Sequence, residues 1–202
     1  MAYPSPIVSA SKGLNLNSLV IPGGVYFDTS HTWAFMEPNG TVRVGMDDFL
    51  QHAAGTFTRV RMLKPGDKVS KGDPIGTFIQ NGKHLTLKSP VTGIIRGENT
   101  LLFTDPSLLN RSPYEAGWIY QIEPANWYRE IQALLLPAKY TEWIGNELKR
   151  LRDFLAAAMT RENPAYGPAV LQDGGEIADH VLENLGPEAW EDFQNQFIDH
   201  TK

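Results

Sequence analysis

Five histidines, His31, His52, His84, His180 and His200, are the side chains best suited to move a proton near neutral pH. They are scattered: no two lie four residues apart, and none has a carboxylate at the spacing of a ligand or acid–base set, so no metal site is expected. His31, two residues before Trp33, reads as a packed strand residue rather than a base. Asp47-Asp48 are adjacent acids suited to acid–base work, yet they stand where a short helix needs an N-cap. Cysteine is absent, which removes thiolate nucleophiles, disulfides and Cys-ligated metals together. No Ser/His/Asp elbow and no Gly-rich phosphate loop occurs. With no catalytic residues to assign, the chain reads as a non-enzyme.

The elements that would position any site follow from the patterning. The 202 residues are 42% hydrophobic and 20% charged, enough to bury a core. The 18 Lys and Arg against 23 Asp and Glu leave a net charge of −5, which argues against a nucleic-acid groove. No run approaches the ~20 apolar residues of a membrane-spanning helix. Residues 1–20 lack both the basic start and the apolar block of a signal peptide, so a cytoplasmic protein is expected. Residues 1–21 read as an irregular N-terminal arm. From Val25 to Glu123 turn signals recur about every 8–12 residues, the spacing of compact all-β structure. His31–Met36 and Thr41–Val44 flank a Pro38-Asn39-Gly40 turn, and Asp47–His52 reads as a short helix. Asn81-Gly82 joins the strands Pro74–Gln80 and Lys83–Lys88 in the strongest hairpin signal of the chain. After Pro124 the period changes to that of helices. A first helix from Trp127 is stopped by Pro137, and an amphipathic helix over 136–159 follows, with Tyr140, Ile144, Leu148, Leu151 and Leu155 on one face. Residues 160–202 form an extension: a loop over Asn163–Gly175, then a short helix opened by Pro187 and carrying Trp190, Phe193 and Phe197. That aromatic face is expected to dock on the body.

One stretch carries a resemblance. Lys64-Pro65-Gly66-Asp67-Lys68-Val69 through Gly76, and Ser89-Pro90-Val91-Thr92-Gly93-Ile94-Ile95 beyond the hairpin, resemble the two halves of a lipoyl/biotinyl carrier domain. More specifically, the chain resembles the H proteins of the glycine cleavage system. His31-Thr32-Trp33 falls where these have His-Glu-Trp, and Val44-Gly45-Met46-Asp47-Asp48-Phe49-Leu50 is similar to their Val-Gly-Ile-Thr-Asp-Tyr-Ala segment. Asp105-Pro106-Ser107-Leu108-Leu109-Asn110, Ser112-Pro113-Tyr114 and Gly117-Trp118-Ile119 match their Asn-Pro-Glu-Leu-Val-Asn, Asp-Pro-Tyr and Gly-Trp-Leu run. The resemblance covers roughly 22–145 and implies a mainly β fold, a barrel-sandwich hybrid of the lipoyl/biotinyl carrier type over 22–135, with C-terminal α-helices. Read structurally, Gly66, Gly72, Gly93 and Gly117 serve turns or close strand approach, and Val69, Ile75, Val91 and Ile94 fill the sandwich.

The hairpin departs from that family. H proteins carry their lipoylated lysine at the tip, in Glu-Ser-Val-Lys-Ala. Counting back from Pro90-Val91-Thr92-Gly93 places Gly82 at that position, with Lys83 one residue late and Ile79 in place of the Glu. A two-residue Asn-Gly turn pairs Gln80 with Lys83 and puts Phe78 opposite Leu85 on the same face. Lys83 is then expected along the sheet, its stem over apolar surface and its charge in water. Two readings follow. In the first, no cofactor is attached, Lys83 is unmodified, and the domain binds other proteins as an interaction or scaffold module. In the second, lipoate on Lys83 makes the chain a carrier in glycine cleavage or related one-carbon or acyl transfer. The partners implied by the resemblance are proteins, lipoate-dependent or redox enzymes among them.

Overall fold

The computed structural model describes residues 13–162 and 177–199. The start of the expected arm and the Asn163–Gly175 loop lie outside the described residues. In chain order the strands are β1 (Tyr26–Asp28), β2 (Thr32–Met36), β3 (Val42–Met46), β4 (Arg59–Met62), β5 (Lys68–Val69), β6 (Pro74–Gln80), β7 (Lys83–Lys88), β8 (Gly93–Glu98) and β9 (Tyr120–Pro124). They form a six-stranded sheet, β1-β2-β3-β9-β8-β5, and a three-stranded sheet, β4-β6-β7. The named pairings are antiparallel. This is the mainly β, barrel-sandwich arrangement that the strand spacing and the carrier resemblance imply.

Alternation along the strands builds the core. Val42 and Val44 of β3, Ile95 of β8 and Ile122 of β9 are buried, as are Val60 of β4, Phe78 of β6 and Leu85 and Leu87 of β7. Tyr120 bridges the two sheets: its hydroxyl donates to Ile75 O at 2.6 Å and accepts from Leu63 N at 2.7 Å. A buried hydroxyl satisfied in both roles costs little and pins one sheet to the other. Gly93 is a close-approach glycine, since a Cβ there would lie 2.1 Å from Glu123 O on the neighbouring strand.

Helix α1 (Asp48–Ala54) starts where the acids predict, Asp47 accepting from Leu50 N as N-cap. Helix α2 (Leu108–Arg111) is a single turn. Pro137 plays a different part from the expected one. The segment before it is only one turn, α3 (Trp127–Glu130), followed by a 3₁₀ turn over Ile131–Ala133. Leu135 then pairs with Phe27 through both backbone bonds, at 2.9 and 2.7 Å. Pro137 opens the 26-residue helix α4 (Pro137–Glu162), because a first-turn residue needs no N–H and its preset φ is already helical. Helix α5 (Pro187–Phe193) runs on into a wider, π-helical turn, Gln194–Ile198. Phe193 and Phe197 stack with centroids 4.5 Å apart, and Phe154 of α4 meets both edge-on. The aromatic face of the extension is buried against α4, α1 and β7.

Candidate functional site: the β6–β7 hairpin and its cover

Asn81 (φ 47°) and Gly82 (φ 84°) are both left-handed, the backbone that a two-residue hairpin of this twist requires. The register is Gln80 opposite Lys83, Ile79 opposite His84 and Phe78 opposite Leu85. Gly82 stands at the tip, where a Cβ would meet no atom within 4 Å. Lys83 is the first residue of β7, on the face that also carries buried Gln80, Phe78 and Leu85.

The charge of Lys83 is not in open water. Its Nζ donates to Glu183 O at 2.7 Å, Leu185 O at 3.1 Å and Leu182 O at 3.4 Å. These carbonyls lie at the end of the 3₁₀ turn Val181–Asn184, which Leu185 N closes by donating to Leu182 O, and the carbonyl end of such a turn favours a cation. The Trp190 ring lies 5.1 Å from the ammonium, and Trp190 Nε1 donates to Leu182 O at 2.8 Å. The expectation of a solvated charge fails because the carbonyls come from residues about a hundred positions away. A lipoyl group would have to be attached through this same nitrogen.

The extension also closes the edge of β7. Gln194 Oε1 accepts from Thr86 N at 2.8 Å, and Gln194 Nε2 donates to Thr86 O at 3.0 Å. A side-chain amide thus makes the two bonds that a further strand would make.

Three histidines have carboxylate partners that the spacing argument missed: partly exposed His180, within 3.8 Å of Asp179 and 3.7 Å of Glu183, and the more enclosed His31 and His52. His31 is fully buried with φ 62°, in the turn before β2 rather than in the strand. Its Nδ1 donates to Asp47 Oδ2 at 2.8 Å, and Tyr140 Oη donates to the same oxygen at 2.7 Å. The other ring nitrogen, Nε2, is enclosed with no partner among the described residues while the ring stacks on Phe49, an arrangement that packs the core rather than facing a base toward solvent. Burial and the Asp47 charge hold the Tyr140 phenol well above its usual range, which keeps it a donor. His52 contacts Asp48 Oδ2 at 3.5 Å and Asp179 Oδ1 at 2.7 Å. Burial would lower its pKa, but the two carboxylates outweigh burial and raise it to about 9. Burial opposes ionisation of Asp48 too, yet bonds from His52, Val20 N and Gln51 hold its carboxyl below the usual range. The four-residue step from Asp48 to His52 was legible as a helical pair; Asp179, across the fold, was not. Among the described residues no three His, Cys, Asp or Glu side chains form a metal-sized group. No helix there is long and apolar enough to cross a membrane.

Comparison with known proteins agrees with this architecture. A family model described as "Glycine cleavage H-protein" matches residues 25–147. The chain is 37% identical over 131 residues to "Glycine cleavage system H protein 2" of Aquifex aeolicus, covering 62% of this chain and 79% of that one. It is 34% identical over 122 residues to "Probable glycine cleavage system H protein" of Thermococcus kodakarensis, covering 60% and 90%. The crystal structure of a glycine cleavage system H protein from Mycobacterium marinum superimposes with a TM-score of 0.56 at 29% identity, covering 62% of this chain and 99% of that one. These matches leave the C-terminal extension outside the family's frame and support a carrier-type domain rather than an enzyme. From its strand order and this agreement, the chain belongs to the glycine cleavage H-protein family.

Proposed function

We propose that this chain is an H-protein-family domain that carries no lipoyl group and acts as a protein-interaction or scaffold module. The observation that carries the reading is the carbonyl cage around Lys83 Nζ, built by Leu182, Glu183 and Leu185 and walled by Trp190. Rotation of the half-buried Lys83 side chain would break these bonds, whereas removing the cage itself means lifting an extension in which Trp190, Phe193 and Phe197 are almost wholly buried. Exposing those rings costs on the order of 5 kcal/mol, so fewer than about one molecule in a thousand would have the extension lifted at any moment. Gly82 at the tip offers no side chain for attachment. The partners are proteins, lipoate-dependent or redox enzymes by family association.

A second reading is favoured by one feature: Lys83 is next to the tip, and a partner that lifted the extension would bare it as a lipoyl attachment site. Incubation of the full chain with a lipoyl ligase, lipoate and ATP, followed by intact mass and peptide mapping, separates the two. The first reading expects unchanged mass. Stoichiometric lipoyl addition at Lys83, abolished in Lys83→Arg, would establish the carrier reading in its place.

A further inference from the structure

The outer face of the three-stranded sheet carries a second feature, unrelated to the Lys83 cage. Cross-strand register sets Arg59, Ile79 and His84 in one row and Arg61, Thr77 and Thr86 in the next. Their alternation partners Val60, Phe78 and Leu85 fill the core, so both rows face outward. They line an open groove of about 590 Å³, reaching Gly82 at the hairpin tip, and no carboxylate is among its lining residues. Most other cations of the β body are neutralised locally, Arg43 by Glu37, Lys64 by Glu98, Lys71 by Asp28, Arg96 by Glu123 and Arg111 by Asp105, with exposed Lys68 an exception. Arg59 and Arg61, both exposed, have no ion pair among the described residues. Two unpaired guanidiniums on a carboxylate-free face are unexpected in a chain of net charge −5.

We propose that this groove docks an extended acidic segment of a partner protein, with carboxylates at alternate positions. The two arginines are two residues apart on one strand, so their stems leave the sheet about 7 Å apart. That is also the repeat of same-side residues in an extended peptide, and each guanidinium can hold one carboxylate through two parallel hydrogen bonds. The hydroxyls of Thr77 and Thr86 and the ring of His84 supply further donors along the rows. The adjoining depression beyond β7 is lined by Glu191 and by Asp199, the latter paired with Lys88 at 2.8 Å. The Glu191 charge, which that lysine does not pair, favours an acidic segment over β4 and β6 rather than toward the extension. The inference rests on the interaction-module reading only in taking the partner to be a protein.

Fluorescence anisotropy on the full chain tests it, with a short labelled peptide of alternating Glu and Thr and a control in which Gln replaces Glu. The expected result is saturable binding of the acidic peptide at low ionic strength, weakened by salt, and roughly tenfold or more weaker in Arg59→Gln/Arg61→Gln. Thr77→Glu, which keeps both arginines and adds a carboxylate directly opposite Arg61, should weaken binding similarly; circular dichroism checks that each variant is folded. Equal binding of the two peptides would overturn the proposal, as would a folded double variant that binds like the parent. Displacement of the peptide by equimolar inorganic phosphate would also overturn it, by making the groove a small-oxyanion site. Lipoylation of Lys83 would sink the preceding reading without moving any of these values, so the two failures are distinguishable.

Discussion

Tyr140 Oη donates to Asp47 Oδ2 across 2.7 Å, which joins the long helix α4 to the cap of α1, 93 residues earlier. Asp47 also accepts from Leu50 N at 2.8 Å and from His31 Nδ1 at 2.8 Å. One buried carboxylate therefore holds a helix start, a strained turn and the first segment of the helical tail. Asp47→Ala leaves the His31 and Tyr140 donors buried without acceptors and should cost about 3–5 kcal/mol. Tyr140→Phe removes one bond and should cost about 1–2 kcal/mol. Urea unfolding curves measure both, and equal effects would show that Asp47 acts only through Tyr140.

Stability should fall as pH rises across the range set by His52. Its folded pKa, about 9, lies above the unfolded value of 6.5. The stabilisation is therefore complete below about pH 6.5 and is lost as pH climbs through about 9. The Asp48 contribution has the opposite sign: its folded pKa lies below 3.8, so it is present above that value and lost on acidification. The His52–Asp179 contact joins α1 to the extension, so the alkaline loss should appear first as weaker docking. Melting temperatures from pH 6 to 10 should decline in the parent and decline less in His52→Gln.

Gly93→Ala should be far more damaging than Gly40→Ala. At Gly93 the new methyl would collide with Glu123 O, a backbone atom that cannot move without opening the β8–β9 ladder. A loss of about 3 kcal/mol or more is expected. Gly40 has φ +84° but open space around it, so its alanine variant suffers only local backbone strain, about 1 kcal/mol. Thermal denaturation of the two variants checks the ranking.

Phe197→Ala should cost about 3–5 kcal/mol, because it empties a fully buried site shared with Phe49, Phe154 and Phe193. Lys83→Gln should act locally, loosening the Val181–Asn184 turn. Hydrogen exchange at Leu185 and Thr86 reads this directly: faster exchange in Lys83→Gln with unchanged protection in β3 and β9 is the expected pattern. Unaltered exchange would show that the cage adds nothing to docking.

Much of this molecule was legible in short-range pattern. The Asn81-Gly82 turn, the Gln80–Lys83 register and the Asp47 cap follow from steric and hydrogen-bonding rules that act within four residues. Alternation likewise separates Val60, Phe78 and Leu85 from Arg59, Ile79 and His84, whatever the rest of the chain does. The family motifs around Gly66, Gly93 and Gly117 were readable for the same reason: each glycine answers a local demand of turn or strand approach. Where the reading of Pro137 went astray, the cause was a tertiary contact. Leu135 is drawn out to pair with Phe27, which ends the first turn early and leaves the proline to begin a helix.

What only the tertiary structure decided is the company each polar side chain keeps. The chain sequence assigns Lys83 to the start of β7, but Leu182, Glu183, Leu185 and Trp190 reach its ammonium only because α4 and α5 fold back over the sheet. His52 finds Asp179 by the same return of a distant segment, whereas His31 meets Asp47 at the end of the β2–β3 pairing that sets Thr32 opposite Met46. Backbone conformation is governed by neighbours along the chain, whereas an ammonium or an imidazole takes its partner from whatever oxygen the packing of apolar faces brings within 3 Å.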